Sequence, residues 1–294
     1  MPIRSLWYRT LPCVLACSLF LAPAGAQERF SLFVPTSHPD VERMVKFANL
    51  RDGDLVIDLG SGDGRIVFEA LRRHPGVRGR GIEIDKSLVA KSTAQAKTEG
   101  LAERVQFIHQ NAFDADLAKA DVIFMWLFPE LMRMLRPKIM REARPGTRVV
   151  TRTWDLGAWP PDATLGTDIF LWIVPARVDG DWTWELPLAG GPRAYSAYFE
   201  QTFQKAEGAA RSGNRRNVFE NLKLSGDQIS FTLDMTVPGV GLVDHRFEGR
   251  VRGDTIEGTA TVRPSSEVNP VTVPWRAKRT KGSPFFAYTG VDMD

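Results

Sequence analysis

Three glycines, at positions 60, 62 and 64, stand in the run VIDLGSGDGRIVFEA (56–70), directly after an apolar segment and directly before a helix-forming one. Glycine reaches positive φ and carries no side chain to hold a ligand away from the backbone. A helix beginning at that point offers free N–H groups and positive partial charge. A dinucleotide site asks for G-x-G-x-x-G. Here the sixth position counted from Gly60 is Arg65, and the third glycine falls one place early. Taken alone, the loop is also what any tight strand-to-helix turn favours.

Other chemistry-bearing residues fall in step with it. Asp58 precedes the first glycine, Glu83 closes the next strand in GIEID, and Asn111 follows the third strand in HQNAF. An acid at position 83 can accept bonds from both hydroxyls of a ribose, and Asn111 can meet an adenine edge with side chain and backbone. Asp58, Gly60, Glu83 and Asn111 are expected at the carboxyl ends of adjacent strands, around one crevice. The competing readings are a solvated strand end for Glu83 and an Asx turn for Asn111.

The elements that must position them follow a βαβ rhythm. Strands are predicted at 55–59, 80–84, 105–109, 121–127, 148–154 and 168–174, and helices at 64–73, 87–99 and 129–142. Several strands are apolar throughout, as expected when helices cover both faces. The fold class is therefore α/β, with a doubly wound, mostly parallel sheet. A helix at 39–50 is expected to cap the sheet edge. After about residue 180 the pattern alternates in period two and is broken by turns at 226–227, 238–241 and 252–254. That predicts a smaller antiparallel β domain, a sandwich or barrel. LSGDQISFTL (224–233) and VRGDTIEGTA (251–260) resemble each other and suggest a repeated hairpin, so the RGD within the second reads as turn chemistry.

Composition narrows the function classes. Residues 1–26 carry Arg4 and Arg9 ahead of an apolar run from Leu11 to Leu21 and end in Ala24-Gly25-Ala26, the layout of a secretory signal peptide. The expected organisation is a signal at 1–26, an α/β domain at 27–180 and a β domain at 181–294, with the mature chain periplasmic or secreted, or cytoplasmic if the signal is not used. Without residues 1–26 the chain holds 36 Lys+Arg against 35 Asp+Glu, which asks for no nucleic-acid partner. Both cysteines, Cys13 and Cys17, lie in the leader, and the histidines at 38, 74, 109 and 245 have no ligand spacing, so no metal site is expected.

VIDLGSGDGR, then GIEID, then QNAFDAD resembles the motif series of class I, Rossmann-like S-adenosylmethionine-dependent methyltransferases. Within that class, FMWLFPELMRMLRPKI (124–139), with VPT (34–36) ahead of VERMVKFANLRDGD, is similar to the ATP-synthase c-subunit lysine methyltransferases and their bacterial relatives. The resemblance covers roughly residues 35–175. It implies that Gly60, Ser61 and Gly62 let the methionine portion of the cofactor approach, that Asp58 helps anchor it, that Glu83 holds the ribose, and that Asn111 and Ala112 border the adenine. It also implies a methyl-facing loop at Trp126-Leu127-Phe128-Pro129-Glu130, with Trp126 and Phe128 at the acceptor. Trp154, Asp155 and Trp159 are expected on the opposite wall, Asp155 as a proton acceptor; core or lid packing is the alternative for the aromatics. Asp121, at the far end of its strand, reads as structural, and Met132, Met134 and Met140 as core. The acceptor is expected to be a protein side-chain nitrogen, lysine above others. The rival reading is an envelope binding or scaffold protein with a degenerate catalytic domain.

Overall fold

The computed structural model describes residues 34–188, 191–267 and 269–282. The expected leader, with Cys13 and Cys17, lies outside them. Helix α1 (His38–Phe47) leads into β1 (Leu55–Leu59), α2 (Arg65–Arg73), β2 (Arg78–Glu83), α3 (Lys86–Thr98), β3 (Val105–His109), β4 (Val122–Met125), α4 (Pro129–Glu142), β5 (Arg148–Arg152), β6 (Ala163–Leu165) and β7 (Ile169–Ile173). These strands make one seven-stranded sheet in the order β3-β2-β1-β4-β5-β7-β6. The β1 to β5 pairings are parallel, and β7 runs antiparallel to both β5 and β6. The order reverses beside β1, which opens a crevice at the carboxyl ends of β1 and β4, where such sheets bind ligands.

Every residue of β4 is buried, as its unbroken apolar run requires. One face of the sheet packs Val56, Phe124 and Val150 against α1 and α2, and the other packs Ile57, Ile123 and Val149 among the buried residues of α4. Helix α1 does not cap the sheet edge as expected. It lies on the face beside α2, with Val41, Met44 and Val45 buried. Arg148 reaches from β5 to the carbonyls of Ala48 and Asn49 at the end of α1 and to Asp54 at 2.6 Å. Strand β4 also stops at Met125, so Trp126 and Leu127 belong to the loop rather than to the strand.

The second sheet contains β8 (Gly180–Leu188), β9 (Gly191–Thr202), β10 (Lys205–Ser212), β11 (Arg215–Val218), β12 (Glu220–Ser225), β13 (Gln228–Val237), β14 (Gly241–Arg252), β15 (Thr255–Pro264) and β16 (Val271–Lys281). All nine pair antiparallel in the order β11-β10-β9-β8-β16-β15-β14-β13-β12. The Phe219 N–H, beside β12, donates to the carbonyl of Gly208 in β10, so the sheet curls into a nearly closed barrel. Its interior is filled by Trp182, Trp184, Phe199, Phe231, Phe247 and Trp275. The two similar segments form equivalent hairpins, β12–β13 and β14–β15, each turning through a glycine in the left-handed region, Gly226 and Gly253.

The two sheets are joined by specific contacts. Phe203, in the β9–β10 turn, stacks on Trp159 with ring centroids 6.0 Å apart. Gln204 accepts from the Trp159 indole N–H at 2.9 Å and donates to the carbonyl of Pro160 at 2.7 Å. Gly226 accepts from the Ala176 N–H at 2.7 Å, and its turn lies against Gly146 so closely that an added Cβ would sit 3.0 Å from the Gly146 Cα.

Candidate functional site

The glycine loop owes its sequence first to the fold. Gly60, Gly62 and Gly64 all have φ between 55° and 82°. A Cβ on Gly60 would overlap Leu127 from the loop after β4, and one on Gly64 would overlap the Phe107 ring of β3. The backbone is therefore bare partly so that two neighbouring elements can close on it. Gly64 caps α2 without a side chain, and the Arg65 N–H of the first turn reaches Asp63 Oδ1 at 3.4 Å.

Glu83 is buried and faces this loop. Its Oε2 accepts from the Gly62 N–H at 2.8 Å, and its Oε1 accepts from the Asp85 N–H at 2.9 Å. Each oxygen keeps a second lone pair, so the fixed carboxylate has capacity for two more donors. Asp58, at the end of β1, is 2% exposed. Burial, with the charges of Glu83 and Asp63 nearby, pushes its carboxyl up to about 8, so it is protonated at neutral pH. The Ser61 hydroxyl is buried and has no hydrogen-bond partner among the described residues. Asn111 does form an Asx turn: its Oδ1 accepts from the Phe113 N–H at 3.0 Å and starts the short 3-10 turn Ala112–Asp114. Asn111 and Ala112 follow directly on Gln110, whose N–H donates to the Glu83 carbonyl at 2.9 Å.

On the far side of β1, the loop after β4 carries Trp126, half-buried, and Phe128, 48% exposed at the start of α4. The turn after β5 runs through Thr153, whose φ of 71° is an outlier for a β-branched residue. It projects Trp154, 47% exposed, with its carbonyl accepting from the Thr151 hydroxyl at 2.7 Å. Asp155 is exposed, and its carboxylate accepts from the Gly157 N–H at 3.0 Å. Trp159 is no wall residue: it is fully buried in the contact with Phe203. Met134 is 63% exposed, unlike Met132 and Met140, which are core. Asp121 is structural, accepting from the Leu55 N–H at 2.8 Å and pairing with Arg144 at 2.8 Å.

Two arginines beside the site have contacts that the sequence does not show. Arg65, held by Asp63 at 2.6 Å, donates to the carbonyl of Thr36, which ties the VPT lead-in to the glycine loop. Arg152, at the end of β5, pairs with Asp40 at 2.7 Å and lies over the Trp126 ring, 5.2 Å from its centroid. The i, i+3 spacing of Asp40 and Arg43 is the one visible sign of this cluster.

An acidic strand end, a glycine turn and a helix N-terminus beside a reversed strand order define a site for an adenosine-type cofactor. A buried carboxylate with spare acceptor capacity suits the paired hydroxyls of its ribose, and the unmet Ser61 hydroxyl adds a polar group in the same loop. The protein is a class I S-adenosylmethionine-dependent methyltransferase. Residues 58–163 match the family model described as the ANTKMT methyltransferase domain. The chain is 31% identical to a protein-lysine N-methyltransferase of Saccharolobus islandicus, over 48% of this chain and 92% of that one. It is 33% identical to the ATP-synthase c-subunit lysine N-methyltransferase of Rattus norvegicus, over 51% of this chain and 68% of that one. A crystal structure described as an RNA methyltransferase from Salinibacter ruber with S-adenosyl-L-homocysteine is 42% identical, covers 49% of this chain and 96% of that chain, and has a TM-score of 0.47. The chain belongs to the family of lysine N-methyltransferases that the first two represent.

Proposed function

We propose that this protein methylates the side-chain nitrogen of lysine in a protein substrate. The observation that carries the reading is the kinship with protein-lysine N-methyltransferases across the same residues that build the crevice, Asp58 to the loop after β5. In this reading Asp58 and the backbone of Gly60, Ser61 and Gly62 hold the methionine part of S-adenosylmethionine, Glu83 the ribose, and Asn111 with Ala112 the adenine. When bound, the cofactor supplies a sulfonium methyl group. The residues of this chain hold the acceptor in line and exclude water. Trp126 and Phe128 form the aromatic mouth that guides the lysine side chain towards the methyl group. Asp155, exposed at the rim, can take the lysine proton or pass it to water. The leader layout of residues 1–26 supports export of the mature chain, and we include it in the proposal: the substrate is then an envelope protein.

The test uses purified protein with methyl-labelled S-adenosylmethionine and three acceptors: poly-L-lysine, envelope protein extract and total RNA. Label recovered as methyllysine after acid hydrolysis is the expected result. Label confined to RNA, or to a different amino acid, overturns the lysine reading. Fractionation of cells by compartment checks the export part separately, and a protein found only in the cytosol overturns it.

A further inference from the structure

Arg152 has no assigned role, yet its geometry is costly for a surface arginine. Met125 pairs with Thr151 across the β4–β5 ladder, so Trp126 and Arg152 leave the sheet side by side at the acceptor end. The Arg152 side chain is only 21% exposed. It meets Asp40 of α1 through Nη2 at 2.7 Å, while its Nε, 3.8 Å from Asp168, makes no hydrogen bond among the described residues. A guanidinium can take a carboxylate with two parallel bonds. Here that arrangement is given up, and the guanidinium carbon lies over the Trp126 ring, 5.2 Å from its centroid.

Its surroundings hold it there. Arg43 bonds Asp168 at 2.8 and 3.1 Å and Asp40 at 3.1 Å. The Ser37 hydroxyl holds the Asp40 carboxyl below the usual carboxylate range, and Arg43 does the same for Asp168. Two arginines and two aspartates cancel in charge, so the cluster neither repels nor attracts an incoming lysine to any extent. Its effect is directional. Thr153, held in the left-handed region with its N–H on the Asp168 carbonyl at 2.6 Å, fixes the chain immediately after Arg152. Backbone strain of that kind persists only where neighbours over-determine it.

We propose that Arg152 is a positioning residue for methyl transfer, acting through Trp126 by stacking on the indole and fixing it as one wall of the acceptor's entry. The proposal rests on the reading of the loop after β4 as the acceptor side. A planar cation suits the task, because it stacks on an aromatic face and is weakly hydrated.

The experiment compares the full chain with Arg152→Met, Arg152→Lys, Trp126→Phe and the Arg152→Met/Trp126→Phe double variant. Three quantities are read: kcat on poly-L-lysine, Kd for S-adenosylhomocysteine, and the indole N–H resonance of Trp126, assigned by its loss in Trp126→Phe. Arg152→Met is expected to shift that resonance, to lower kcat about tenfold and to leave Kd within about twofold. Arg152→Lys should recover part of the rate. The double variant should be no slower than Trp126→Phe alone, because the arginine then has nothing to orient. Additive losses in the double variant, an unmoved resonance in Arg152→Met, or a loss of cofactor affinity matching the loss of rate would each overturn it. If Arg152→Met does not fold, Asp40→Asn removes the anchor alone and carries the same expectations at smaller size. Failure of the wild-type protein to methylate poly-L-lysine counts against the lysine reading, and the resonance then decides the positioning role by itself.

Discussion

Asp58 holds a proton that water would remove. A folded value of about 8 against an ordinary carboxylate value near 3.8 means the unfolded chain loses this proton first as pH rises. Its contribution to stability is therefore full below about 3.8 and is lost progressively up to about 8. Asp58→Asn should raise the thermal midpoint of the cofactor-free protein at pH 8, an effect of about 1–3 kcal/mol, read by calorimetry. A cation brought against the carboxyl lowers its pKa. Calorimetric titration with S-adenosylhomocysteine below pH 8 should then show proton release, with affinity rising towards that pH and the dependence lost in Asp58→Asn. Glu83→Gln keeps the shape but removes the charge and one acceptor. It should weaken S-adenosylhomocysteine binding about 10- to 100-fold; unchanged binding would remove Glu83 from the site. Much of this was legible in sequence, because each group stands at a fixed offset from a strand end. Leu127 packing on Gly60 was not, since it joins two loops far apart in the chain, and neither was Trp159, whose neighbour Phe203 lies in another sheet.

At the scale of elements, the βαβ part could be read closely because strands such as β4 are apolar throughout, and because α1 and α3 start at the side-chain caps Ser37 and Asp85. Strand β10, KAEGAARS, could not: alanine, glycine and serine give no alternation to read, and its burial comes from the curl of the barrel. Helix α1 was legible as a helix but not in position, because what places it is Arg148 on the far side of β1. The Arg148–Asp54 pair is buried, at 11% and 9% side-chain exposure. Asp54→Ala leaves a guanidinium without its charge partner and should cost about 3–5 kcal/mol in urea unfolding. Thr153→Gly should act in the opposite sense. It removes the strain of a β-branched residue at positive φ, worth about 1–3 kcal/mol, and should raise the denaturation midpoint while slowing transfer, as the turn behind Arg152 loosens.

Over the whole molecule, acid should loosen the barrel while it favours the folded state at Asp58. His245 is buried, with Nδ1 2.8 Å from the Leu233 carbonyl and Nε2 2.7 Å from the Tyr195 hydroxyl. The neutral ring donates to the first and accepts from the second. Burial holds its pKa below the usual 6.5. The unfolded chain thus takes up the proton first, and this part of the stability is lost as pH falls below about 6.5. Circular dichroism melts between pH 7 and 5 should show that slope, flattened in His245→Gln. The stack of Phe203 on Trp159 has a different kind of consequence. The stretch that begins at the acceptor mouth with Trp154 ends, five residues on, as the foundation of a separate module. An α/β unit cut free of that module would keep the Trp172 side of the Trp159 ring covered and present to water the face on which Phe203 now stacks.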